Sequence, residues 1–182
     1  MAKLISKTYG DALVELAEEE NKTDQFVEEV EEIREVLKEN PDFYKLMTHP
    51  RISKEHKEQV ITTAFSGRIS QELTGFLILL VQKGRYAKLE EILTYFLEQV
   101  KERKGIGVVT VTTPMQLLDT QKEELKEKLL QTTGYRELEF HYVLDQSLIG
   151  GMQIRMKDRV VDSSIRTKIE KMHQELRKVQ LS

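Results

Sequence analysis

Through the first hundred residues, apolar side chains return every three or four positions. Ile5, Tyr9, Ala12, Leu13 and Leu16 form one stripe, Phe26, Val30, Ile33 and Leu37 a second, and Val60, Ile61, Ala64 and Phe65 a third. A period near 3.6 puts each set on one face of a helix, where a core can cover it. The run Leu73 to Val81 and the series Tyr86, Leu89, Leu93, Phe96, Val100 predict two more helices, and a short helical turn is expected from Phe43 to Met47. Thr23 and Ser53 are suited to N-caps, Asn40-Pro41 and His49-Pro50 interrupt the pattern, and Gly67, Gly84 and Gly105 stand where helices should stop. The expectation is a six-helix bundle over residues 1–104.

After Gly105 the period changes. Gly107 to Thr113 is rich in β-branched residues and ends at Pro114, which predicts a strand. Asp119 can cap a helix carrying Leu125 and Leu129, closed by Gly134. Leu138, Phe140, Tyr142 and Leu144 then alternate with Glu137, Glu139, His141 and Val143, the period of a half-buried strand. Met152, Ile154 and Met156 alternate likewise beyond the turn Asp145-Gln146-Ser147, so a hairpin between these two strands is expected, with Val160 and Val161 adding a short strand. Ser163 or Ser164 can cap a last helix bearing Ile165, Ile169, Met172 and Leu176 on one face. The predicted class is α+β, with the N-terminal helical bundle followed by a small C-terminal α/β domain over residues 105–182.

Composition narrows the function classes. The 182 residues include no cysteine, which removes disulfides, thiolate nucleophiles and cysteine-based metal sites, and makes a reducing compartment the default. The longest apolar run, Phe76 to Val81, is far shorter than the roughly 20 residues that span a bilayer, so no direct membrane insertion is expected. The first residues lead straight into helical periodicity with no targeting segment. A formal net charge of -3 argues against a dedicated nucleic-acid binder. The basic cluster Arg155, Lys157, Arg159, Arg166, Lys168 and Lys171 is the one feature favouring such a reading, and a steep salt dependence of affinity would be its mark.

Candidate chemistry is sparse. There is no G-x-x-x-x-G-K-[ST] cradle, and Gly105-Ile106-Gly107 follows a helix and opens a strand, the reverse of the order a dinucleotide site needs. His49, His56, His141 and His173 lack ligand spacing, and the glutamate runs 18–20 and 28–32 read as solvated helix faces. No cofactor, metal or catalytic residue is expected. Two features stand out. From Leu73 to Val81 apolar residues surround most of the helix, which makes it either a central core helix or one wall of a groove that takes a partner helix. Gly150-Gly151 lies in a strand pattern, where glycine marks a bulge or the close passage of another element, here the last helix.

The stretch from Leu144 through Asp145-Gln146-Ser147-Leu148-Ile149-Gly150-Gly151-Met152 to Val160-Val161-Asp162-Ser163-Ser164-Ile165-Arg166 resembles the C-terminal signature of the ATP synthase delta subunit family, called OSCP in mitochondria. Tyr9-Gly10-Asp11-Ala12-Leu13 is similar to the family's opening Tyr-Ala-x-Ala-Leu, and Gln82-Lys83-Gly84-Arg85 to its Asn-Gly-Arg, so the resemblance covers the whole chain. The departures are Gly10 where alanine is usual, and Lys157 and Ser163 at two positions where glycine is common.

The resemblance implies a non-enzymatic stator subunit of a bacterial-type F-type ATP synthase, peripheral on the cytoplasmic face of the cell membrane. It implies that the N-terminal domain binds the N-terminal helix of an alpha subunit and that the C-terminal domain meets the C-terminal ends of the b subunits. The groove it implies is lined by Tyr9, Ala12, Leu13 and Leu16 from the first helix and by Phe76, Leu79, Leu80 and Lys83 from the fifth. A free-standing helix-binding adaptor would present the same groove and is the alternative.

Overall fold

The computed structural model describes residues 2–170 and 172. The chain divides into two compact units, Met1–Val100 and Lys101–Ser182. Six α-helices precede the first strand: α1 (Ala2–Glu19), α2 (Thr23–Glu39), α3 (Pro41–Thr48), α4 (Lys54–Phe65), α5 (Gln71–Gln82) and α6 (Leu89–Arg103). The apolar stripes become the core: Leu13, Phe26, Ile33, Ile61, Leu77 and Phe96 are all fully buried in one cluster. Ser53 caps α4 by accepting from the His56 amide at 3.2 Å, and Pro41 opens α3 at a position whose N–H would have no helical partner. Thr23 is instead the first residue of α2, its hydroxyl donating to the Ala17 carbonyl at 3.3 Å.

One acidic residue departs from the solvated reading. Glu29 is only 8% exposed. Its Oε2 accepts from the backbone N–H (2.9 Å) and hydroxyl (2.6 Å) of Ser70, and its Oε1 from Gln25 Nε2 (2.7 Å). Ser70 in turn caps α5, so a buried carboxylate sits at the positive end of that helix with its acceptors satisfied. Glu29 therefore ties the start of α5 to α2.

In the second unit β1 (Ile106–Thr113), α7 (Asp119–Thr133), β2 (Glu137–Leu144), β3 (Gln153–Met156) and β4 (Arg159–Asp162) build a four-stranded sheet of order β2-β1-β3-β4. Residues from 165 to 170 are helical, with Ser164 Oγ accepting from the Thr167 amide at 3.3 Å. The Leu176 expected on that helix lies outside the described residues. On one sheet face Val109, Val111 and Leu138 are buried beneath Leu125, Leu129 and Leu130 of α7.

The expected hairpin between β2 and β3 does not form. β2 pairs in parallel with β1 from Ile106↔Glu137 to Thr113↔Leu144, because α7 supplies the crossover that parallel strands need. The chain then passes to the other side of β1, where β3 pairs antiparallel with it at Val111↔Ile154, and the hairpin is β3–β4. Gly150 and Gly151 precede β3 rather than lying within it. A methyl group at Gly150 would press on Ile165 Cδ1 of the last helical segment, which is the close passage expected there.

Candidate functional site

α5 follows from its cap and its composition: Ser70 Oγ accepts from the Leu73 amide at 3.4 Å, and seven of its twelve residues are apolar. The structure divides them: Leu73, Phe76, Leu77, Leu80 and Val81 are buried, Ile78 is half-buried and Leu79 is exposed, as are Gly75 and the following Lys83. The decisive contrast is between neighbours, with Leu79 39% exposed and Leu80 at 0%.

α1 shows the same division. Leu13, Val14 and Ala17 are buried, Tyr9 and Leu16 are half-buried against the core, and Ala12 is exposed. Ser6 Oγ donates to Glu91 Oε2 at 3.3 Å and the Tyr95 hydroxyl donates to Asp11 Oδ1 at 2.9 Å, which fixes the rotation of α1 against α6. Lys22, just after α1, donates to Glu72 in the first turn of α5 at 2.7 Å, while the 3-10 turn Tyr86–Lys88 that follows α5 packs on α1. α1 and α5 therefore run antiparallel. The hydrogen bond from Lys22 holds the Glu72 carboxyl below its ordinary range, and Glu72 raises the Lys22 ammonium in return.

Of the eight groove candidates, Ala12, Leu79 and Lys83 are exposed and Tyr9 and Leu16 half-buried, while Leu13, Phe76 and Leu80 belong to the core beneath them. Ile78, half-buried beside Leu79, was not among them. No sequence signal separates it from its neighbours, because the apolar run surrounds the helix.

In the C-terminal unit the apolar side chains of Leu144, Val161, Ile165, Ile169 and Met172 are exposed. The start of the last helical segment is held by Asp162, which accepts from the Ser164 amide (2.8 Å), the Thr167 hydroxyl (2.7 Å) and Gln153 Nε2 (2.7 Å).

Gly107 lies under Tyr135 and Leu138, where a methyl group would come within 2.8 Å of either side chain, so this glycine serves packing. His141 Nε2 is 3.2 Å from Glu139 Oε1 on the exposed part of β2. Among the described residues there is no group of three His, Cys, Asp or Glu placed to hold a metal ion, and no helix is long and apolar enough to cross a membrane.

The profile of the family described as ATP synthase delta (OSCP) subunit matches residues 5–176. The chain is similar to the ATP synthase subunit delta of Lachnoclostridium phytofermentans, 44% identical over 181 residues and the full length of both. It is 34% identical to the ATP synthase subunit delta of Acetivibrio thermocellus, covering 92% of this chain and 94% of that one. Its fold resembles a chain of the Toxoplasma gondii mitochondrial ATP synthase hexamer, with a TM-score of 0.75, 20% identity, and coverage of 94% and 96%.

Proposed function

Because the chain belongs to the ATP synthase delta (OSCP) family and is a non-catalytic stator component of the F-type ATP synthase, we propose that its two parts grip different partners. The N-terminal six-helix bundle receives the amphipathic N-terminal helix of an alpha subunit. The C-terminal domain meets the C-terminal ends of the b subunits. The chain thereby links the catalytic head to the peripheral stalk at the cytoplasmic face of the cell membrane, and the head cannot follow the rotor.

The observation that carries this reading is the division of α5. A helix whose core positions are filled still leaves Leu79 exposed and Ile78 half-buried, and α1 likewise leaves Tyr9 and Leu16 half-buried over the core. A partner helix recognised in such a groove presents anchors at i, i+3, i+4 and i+7, and its apolar face takes the place of water over those side chains. Leu13, Phe76 and Leu80 shape the floor, and Lys83 stands at the exit of α5 as a charged contact. The exposed apolar residues of the second unit, among them Leu144, Val161 and Ile165, supply burial for the stalk contact.

Calorimetric titration of the full chain with a peptide of the alpha-subunit N-terminal helix tests the proposal. Saturable one-to-one binding with a negative heat-capacity change is expected, since the contact buries apolar surface. A flat titration overturns the alpha-subunit assignment.

A further inference from the structure

The last turn of α6 lies beyond Val100 and is internal to the second unit, Lys101–Ser182. It is gripped at several independent points. Lys101 Nζ is 2.6 Å from Glu139 Oε2 on β2. Glu102 is held on both carboxylate oxygens, Oε1 at 2.6 Å from Lys157 Nζ and Oε2 accepting from the Tyr135 hydroxyl at 2.9 Å. The Lys157 ammonium also lies 5.7 Å from the centre of the Tyr135 ring. The backbone is tied as well, for the Gly105 carbonyl accepts from the amides of Arg136 (2.9 Å) and Glu137 (3.3 Å).

Lys157 adds a second kind of observation. It stands in the β3–β4 turn with φ at +52°, a left-handed conformation that a residue with a side chain adopts at some cost. Such strain persists where the surroundings over-determine it, and here its ammonium is seated between a carboxylate and an aromatic ring. The hydrogen bond from Lys157 accordingly holds the Glu102 carboxyl below its ordinary range, and Glu102 raises Lys157.

We propose that Glu102, Tyr135 and Lys157 form an anchor that makes residues 101–105 a fixed part of the second unit's fold, in place of a flexible linker. Glu139 on β2 and Lys157 in the β3–β4 turn thus hold the side chains of Lys101 and Glu102 in the last turn of α6, and the Arg136 and Glu137 amides hold the Gly105 carbonyl just beyond it. The inference rests on this chain's own contacts and holds whatever partner either unit binds.

Arg103 and Lys104 are exposed, which makes them natural tryptic sites whose cleavage needs the local backbone to open. Trypsin digestion of the full chain, with products identified by mass, therefore reads the anchor directly. Slow cleavage after Arg103 and Lys104 is expected for the native chain. At least tenfold faster cleavage is expected for Glu102→Ala and for Lys157→Gly, with helical circular dichroism retained. Lys157→Gly is the discriminating variant, since glycine suits the left-handed backbone at this turn while removing the side chain that carries the ammonium. Cleavage of Lys157→Gly as slow as in the native chain, or rapid cleavage of the native chain itself, would overturn the anchor.

Discussion

The ring of Tyr95 on α6 packs so closely on Gly10 of α1 that a methyl group at position 10 would overlap its Cδ1 atom. The same tyrosine donates to Asp11 Oδ1 at 2.9 Å, so the ring cannot withdraw without losing that bond. Glycine in a helix costs about 1 kcal/mol relative to alanine, and here it permits the close crossing. Alanine at position 10 needs a smaller or displaced side chain at 95. Gly10→Ala is therefore expected to destabilise the protein by about 1–2 kcal/mol despite its better helix propensity, through overpacking. The double variant Gly10→Ala/Tyr95→Leu should recover much of that loss in thermal melting.

Leu79 and Leu80 are adjacent on α5, yet one is exposed and the other fully buried. Leu79→Asp places its carboxylate where water can reach it, so the melting temperature should change little. An anchor leucine contributes roughly 1.5–3 kcal/mol when covered, and a carboxylate brought into the contact adds a desolvation penalty, so peptide affinity should fall a hundredfold or more. Leu80→Asp should instead unfold the helical unit or lower its stability by several kcal/mol. Melting and calorimetry on both variants separate the groove wall from the core.

Tyr86 is buried, and its hydroxyl has no hydrogen-bond partner among the described residues. Burial pushes its phenol well above the ordinary range, with the neighbouring Tyr44 adding to the effect. A buried hydroxyl left unsatisfied costs about 1–3 kcal/mol, so Tyr86→Phe should be neutral or stabilising in chemical denaturation. A clear loss of stability would mean that the hydroxyl has a partner.

Asp162 accepts three hydrogen bonds in its ionised form, and the Ser164 amide above all holds its carboxyl far below the ordinary range. A carboxyl depressed in the folded state binds protons more readily when unfolded. Its contribution is thus present above the unfolded value near 3.9 and fades as pH falls through the folded value. Second-unit stability should decline below about pH 4. Asp162→Asn should weaken it at neutral pH and flatten that decline, as read by amide hydrogen exchange in β3 and β4.

The helices were legible because an apolar stripe at i, i+4, i+7 can be buried only as a helix face, and Phe26, Val30 and Ile33 are buried on α2 accordingly. Sheet order was not. Alternation at Leu138, Phe140 and Tyr142 fixes which side chains share a face but carries no information on the neighbouring strand, so the pattern alone suggests a β2–β3 hairpin where α7 sets β2 beside β1. Glu29 was unreadable for a related reason, since its burial depends on Ser70, 41 positions away. In the candidate groove, an apolar run surrounding α5 signals two burial partners without saying which residue faces which. Only the packed structure distinguishes Leu79 from Leu80. At Gly150 the reading succeeded, because a glycine pair beside a strand has few uses other than the close passage that Ile165 makes.

The most direct test of the stator account is a bridging measurement: size-exclusion chromatography of the isolated alpha/beta head with a soluble fragment of the b subunit, with and without this chain. The account predicts that head and b fragment elute separately until the chain is added and then co-elute in one complex, and that the Leu79→Asp chain stays with the b fragment but leaves the head behind. Co-elution of head and b fragment to the same extent without the chain, or a native chain that joins neither, would contradict it.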